Sequence, residues 1–194
     1  MKRIVFFLLT ISIILLFVGC SKPKIENAVN YKVSSFNVTD HEGKTFSKDD
    51  LNGKVWVANF IFTNCETVCP PMTANMSLLQ EKLKNEGIDG VQLVSFSIDP
   101  EVDTPEALVE FSKKFTDDLS NWHFLTGYAQ NFIEQFARES FHMHVQKPEG
   151  VDQVIHGTDF FLVNQDGTVV KEYDGVGNVP FDEMISDIKI LLNN

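Results

Sequence analysis

The apolar positions of the chain fall into three rhythms. Residues 5–18 form one block, apolar except for Thr10 and Ser12. Residues 55–62 (VWVANFIF) and 91–98 (VQLVSFSI) are shorter, nearly continuous runs rich in β-branched and aromatic residues. That is the pattern of strands buried on both faces. Met72, Met76, Leu79 and Leu83 recur instead at helical spacing, which predicts a helix ending near Glu86-Gly87. Thr104-Pro105-Glu106 offers a hydroxyl cap, a first-turn proline and an acid, and Leu108, Phe111 and Phe115 give the following helix its apolar face. Phe132, Ile133 and Phe136 mark another helix; Met184, Ile188 and Leu191 mark a last one over residues 180–192.

Between these lie the strand and turn signals. Residues 33–46 read as a hairpin with Phe36, Val38 and Phe46 apolar and Glu42-Gly43 at the turn. Asn52-Gly53 is a further turn, and residues 122–125 read as a short strand. Residues 157–163 and 169–173 flank Asn164-Gln165-Asp166-Gly167, a second hairpin. The order predicts an α/β fold: a central mixed β-sheet flanked by helices, with an N-terminal β-hairpin. A strand leading to two cysteines at a helix start, then βα, then ββα, is the thioredoxin order.

The first block changes the picture of where the chain resides. Lys2 and Arg3 precede it, and it is shorter than the roughly 20 residues of a membrane span, so it has the shape of a secretory signal. It ends at Gly19-Cys20, followed by the polar Ser21-Lys22-Pro23-Lys24. This resembles a bacterial lipobox, with Phe17 where Leu is usual. The resemblance implies cleavage after residue 19 and lipid on Cys20, which anchors the chain to the extracytoplasmic face of the membrane. Residues 1–19 are then a signal peptide, 20–32 a lipidated N-terminus and linker, and 33–194 one domain. Loss of Lys2 and Arg3 takes the formal net charge from −11 to −13. Such a domain is a poor match for nucleic acid and is repelled by anionic lipid, so lipid rather than basic residues must hold it to the membrane.

Export also bears on the cysteines, because thiols outside the cytoplasm tend to be oxidised. With Cys20 lipidated, Cys65 and Cys69 in TNCETVCPP are the remaining pair. Thiolates at a helix N-terminus are stabilised by unpaired N–H groups and the positive dipole end. One helical turn separates the two, so both sulfurs can face the same way. Pro70 and Pro71 have no N–H to lose there. The pair reads as a redox couple, a soft-metal clamp or a staple. A staple across so few residues constrains little chain. The three-residue spacer Glu66-Thr67-Val68 is wider than the two residues of thioredoxin-type enzymes, and it can close a disulfide or hold two thiolates around Cu(I), which favours sulfur and low coordination number. Glu66 and Thr67 read as solvated.

A third ligand must come from the five histidines. His41 falls in a turn and reads as solvated, and His123 beside Trp122 reads as packing. His142 and His144 in FHMHV would share one face of a strand, exposed in the ordinary case. His156 sits just before a buried strand, in a loop that passes close to the cysteine loop in a thioredoxin-like fold. Asp99 ends the second strand; Asp103 reads as a turn or cap residue.

FIFTNCETVCPPM, SFSIDPEVDTPE, FLTG and VIHGTDFFLVNQDG together resemble the Sco (SCO/SenC) family of cytochrome c oxidase assembly factors, most closely its Gram-positive lipoprotein members, over roughly residues 31–192. The resemblance implies a thioredoxin-like domain that binds one copper ion, as Cu(I) or Cu(II), through Cys65, Cys69 and His156. It implies a metallochaperone that helps to build the copper A centre in oxidase subunit II, with another copper chaperone and a thiol reductant as further partners. Asp99 is expected beside the copper site or at the partner-docking surface. The alternative is a metal-independent thiol–disulfide oxidoreductase, in which Cys65 and Cys69 are the catalytic pair and His156 is dispensable. A peroxidase of the peroxiredoxin type needs a threonine three residues before its cysteine, and Phe62 and Glu66 stand there instead.

Overall fold

The computed structural model describes residues 24–193. The expected signal segment and the lipidation site Cys20 lie outside them. The two apolar runs form the central strands β4 (Val55–Ile61) and β5 (Val91–Ser97), which pair in parallel. β6 (Trp122–Thr126) continues the parallel set beside β5. The second hairpin, β7 (Asp159–Val163) and β8 (Thr168–Asp174), joins antiparallel through β7 to β4. The N-terminal hairpin, β2 (Asn37–Asp40) and β3 (Thr45–Ser47), attaches antiparallel to the far side of β6. Tyr31–Lys32, placed by the sequence in the linker, form β1 against β8. The sheet order is β1-β8-β7-β4-β5-β6-β2-β3, the mixed thioredoxin-like arrangement with a hairpin added.

Four helices pack on this sheet: α1 (Cys69–Asn85), α2 (Pro105–Ser112), α3 (Gln130–Phe141) and α4 (Phe181–Leu192). Thr104 caps α2 by accepting the N–H of Ala107. Every residue of β4 is buried, as its unbroken apolar run predicts. Phe136 and Phe141 of α3 meet Phe60, Phe96 and Phe161 of the sheet edge-on or tilted and tie α3 to it. One polar pair interrupts the core: the Ser95 hydroxyl donates to Asn59 Oδ1 and accepts from Trp122 Nε1, satisfying three groups inside it.

The histidines correct two expectations. His41 is buried rather than solvated, because its Nδ1 accepts the N–H of Phe124 across the hairpin–sheet junction. Burial lowers its pKa. His142 and His144 do not share a strand. His142 closes α3 in the left-handed conformation (φ 53°) and stacks on Tyr31, while His144 is exposed. His123 packs on Phe46, as expected.

Candidate metal centre

β4 and β5 end at the same edge of the sheet, and the loops after them build the site. Cys69 is the first residue of α1, with Pro70 and Pro71 behind it. Its N–H donates to Cys65 Sγ at 3.3 Å, so the helix N-terminus is capped by the other cysteine. Cys65 is 6% exposed and lines a groove of about 410 Å³ with Thr63, Asn64, Glu66, Asp152 and Gln153; Cys69 is fully buried. Both cysteines are free thiols. Glu66 and Thr67 are exposed, as the sequence reading has them.

His156 arrives from the excursion between α3 and β7, which is folded on itself by a bridge from Gln146 to Ile155. Gly175 seats the base of that excursion. Its N–H donates to the Thr158 carbonyl, and its own carbonyl accepts from Asn75 of α1. A Cβ at Gly175 would lie 2.4 Å from the Thr158 oxygen, so no larger residue fits there without displacing backbone. His156 Nδ1 lies 2.6 Å from the Gly157 carbonyl, which can only accept. The ring proton is therefore on Nδ1, and Nε2 presents its lone pair 3.6 Å from Cys69 Sγ. One ligand atom each from Cys65, Cys69 and His156 lies within 4.8 Å of the others, the one such grouping among the described residues.

The two thiols are driven apart in acidity. Cys65 is lowered to about 3, chiefly by the hydrogen bond from the Cys69 thiol, with the N–H groups of Cys69 and Thr67 helping to outweigh its burial. Cys69 is pushed up, because it donates to Cys65 and is itself buried. Two sulfurs and one neutral imidazole nitrogen are a donor set for a soft metal ion of low coordination number.

Two acids were placed by the sequence at this edge. Asp99 is 1% exposed and pairs with Lys147 Nζ at 2.6 Å, on the excursion that carries His156. Asp103 closes a turn, as the sequence suggests, its N–H donating to the Asp99 carbonyl, but its side chain does more than shape that turn. It is equally buried and accepts hydrogen bonds from Thr63, two positions before Cys65, and from Ser97. Lys147, Thr63 and Ser97 carry no motif of their own. The signal that pointed to this region was the acid pair in SIDPEVD.

The SCO1/SenC family model matches residues 26–193. The chain belongs to the SCO1/SenC family. A SCO1/SenC family lipoprotein from Bacillus anthracis str. Ames superposes on it with a TM-score of 0.84 at 50% identity, covering 87% of this chain and 99% of that one. BsSco, a member of the Sco family of cytochrome c oxidase assembly proteins in which a disulfide switch was identified, gives 0.80 at 51% identity over 87% and 98%. Arabidopsis thaliana ScoI with copper bound gives 0.69 at 26% identity over 83% and 98%. The Sco membership and the thioredoxin-like fold expected from the sequence are thus both met. Among the described residues no helix is long and apolar enough to cross a membrane.

Proposed function

We propose that this Sco chain is a copper carrier for the assembly of cytochrome c oxidase, holding one copper ion, Cu(I) or Cu(II), on Cys65 Sγ, Cys69 Sγ and His156 Nε2. The observation that carries the reading is the Nε2 lone pair aimed at the cysteine pair, with the Nδ1 proton already committed to the Gly157 carbonyl. Copper bound to the Arabidopsis relative supports it. The cargo is the copper ion, and its destination is the copper A centre of oxidase subunit II. Transfer exchanges ligands one at a time: each bond to Cys65, Cys69 or His156 is replaced by one to a partner sulfur or nitrogen. A proton lost by the incoming thiol returns to the thiolate set free here. Another copper chaperone loads the site, and a thiol reductant keeps the pair reduced. Asp99 acts through Lys147 by holding the His156 excursion against the cysteine loop.

The chain works at the extracytoplasmic face of the membrane, with residues 1–19 removed and lipid on Cys20. The lipoprotein relative from Bacillus anthracis supports this placement. Mixing the copper-loaded chain with metal-free subunit II copper domain tests the function. Copper appearing on the reduced acceptor is expected, and copper retained by this chain in the presence of that reduced acceptor refutes it.

A second reading has its own support in the split acidity of the thiols. A thiolate at Cys65 beside a protonated Cys69 is the arrangement of an attacking thiol and its resolving partner. In that role the dithiol reduces a disulfide of the partner: two thiols here become the Cys65–Cys69 disulfide as two protons and two electrons pass to the partner's sulfurs. Copper and disulfide compete for the same sulfurs, so the chain performs one task at a time.

A further inference from the structure

Thr63 stands between the end of β4 and Cys65. Its N–H donates to Asp103 Oδ1 at 3.1 Å, and its hydroxyl donates to the same oxygen at 2.6 Å. The Ser97 hydroxyl, from the end of β5, donates to Oδ2 at 2.6 Å and accepts the Asp99 N–H at 3.1 Å. Thr126 of β6 donates to the Asp103 carbonyl at 2.6 Å. The Asp103 carboxylate thus ties the cysteine loop to the end of β5, and its main-chain carbonyl ties the same residue to β6. Its donors on this network are all neutral, and Asp103 is 1% exposed.

A carboxylate buried among neutral donors is costly, and its pKa is raised by that burial. The fold alone does not require a charge here, since an amide of the same size also accepts hydrogen bonds. What the charge adds is strength: bonds to an ionised acceptor are about twice as strong as neutral ones. The strength is spent two residues from Cys65, on a loop otherwise held by longer bonds: Cys65 N–H to the Phe62 carbonyl at 3.3 Å, Cys69 N–H to Cys65 Sγ at 3.3 Å and Gln153 Nε2 to the Asn64 carbonyl at 3.2 Å.

We propose that Asp103 is a positioning residue of the centre: through Thr63 it fixes the loop carrying Cys65, and so the separation of the Cys65 sulfur from Cys69 and His156. It holds the sulfurs in the open dithiol arrangement, short of a disulfide. In its copper arm the proposal rests on the three-ligand reading above; a metal-free arm does not.

The test uses the full chain in detergent with Thr63→Val, Thr63→Ser, Asp103→Ala and the Thr63→Val/Asp103→Ala double variant, each checked by thermal melting. Without metal, the reduced pair is equilibrated with glutathione. One oxidised glutathione is consumed and two reduced glutathiones form as Cys65 and Cys69 join. Thr63→Val, which loses the hydroxyl, shifts this equilibrium about tenfold toward the disulfide. Thr63→Ser retains the wild-type value, and the double variant shifts no further than Asp103→Ala. With Cu(II), Thr63→Val weakens and displaces the sulfur-to-copper charge-transfer band. A wild-type equilibrium and band in folded Thr63→Val, or additive shifts in the double variant, overturn the proposal. Should Asp103→Ala not fold, the two Thr63 variants decide it alone. A wild-type chain without any charge-transfer band overturns the copper reading instead, and the glutathione equilibrium still judges the role of Asp103.

Discussion

His156 Nε2 stands 3.6 Å from Cys69 Sγ although 87 residues separate them in sequence. The sheet brings them together: β7 lies beside β4, so the excursion entering β7 crosses the loop leaving β4. The imidazole tautomer is set by Gly157 and the helix N-terminus is capped by Cys65. The donors are therefore arranged before any ligand arrives, which reduces the ordering cost of binding.

The acidity split has a direct signature. The ordinary thiol value is 9.0, and Cys65 is lowered to about 3, so its thiolate is lost only as the pH falls toward that lower value. Alkylation of Cys65 by iodoacetamide in the metal-free chain is expected to stay nearly flat from about pH 8 to about pH 5, with Cys69 protected. An ordinary thiol slows about tenfold per pH unit over that range. Peptide mapping of the label checks both, and a tenfold loss per unit at Cys65 contradicts the assignment.

Lys147 neutralises Asp99 beneath the His156 excursion, and only 2% of the Asp99 side chain is exposed. Lys147→Ala leaves that carboxylate buried without its partner, at about 2 kcal/mol after allowing for the partial exposure of the lysine. The loss falls on the segment carrying His156. Chemical denaturation measures the cost, and copper retention against a competing chelator is expected to drop alongside it. The glutathione equilibrium of the cysteine pair stays at its wild-type value.

A remote control lies under α4. Asp187 is buried and accepts from Lys171 at 2.8 Å and from the Tyr173 hydroxyl at 2.8 Å. Asp187→Ala strands a buried lysine and is expected to cost about 3 kcal/mol, with Glu183 compensating in part. Denaturant unfolding reads the cost. The Cu(II) spectrum of the folded variant is unchanged, because the network touches neither the cysteine loop nor the excursion.

The sheet and helices were legible where side chains alone decide them. The continuous run of β4 is buried throughout, and Thr104-Pro105 starts a helix because cap and proline act locally. β1 was not legible: two residues pair with β8 through backbone, which leaves no side-chain period. His41 in a turn sequence becomes buried because the hairpin docks on β6, a contact set by topology. FHMHV suggested a strand, but its first histidine stacks on Tyr31 and ends α3. The proposed ligand trio rests on the cysteine spacing together with family resemblance; spacing alone does not select His156. Asp103 looked like a turn former because its partners, Thr63 and Ser97, are ordinary residues that the fold brings to it across 40 and 6 positions.

On the proposed function, His156 completes a copper site whose sulfurs are Cys65 and Cys69. Anaerobic titration of the reduced full chain with Cu(II), followed by the sulfur-to-copper charge-transfer band, tests it most directly. Wild type is predicted to take up one copper per chain with that band, and Cys65→Ser to lose the band. His156→Ala is predicted to release copper to a chelator while still forming its disulfide as wild type does. Cu(II) held by His156→Ala as firmly as by wild type, or no band in wild type, contradicts the account.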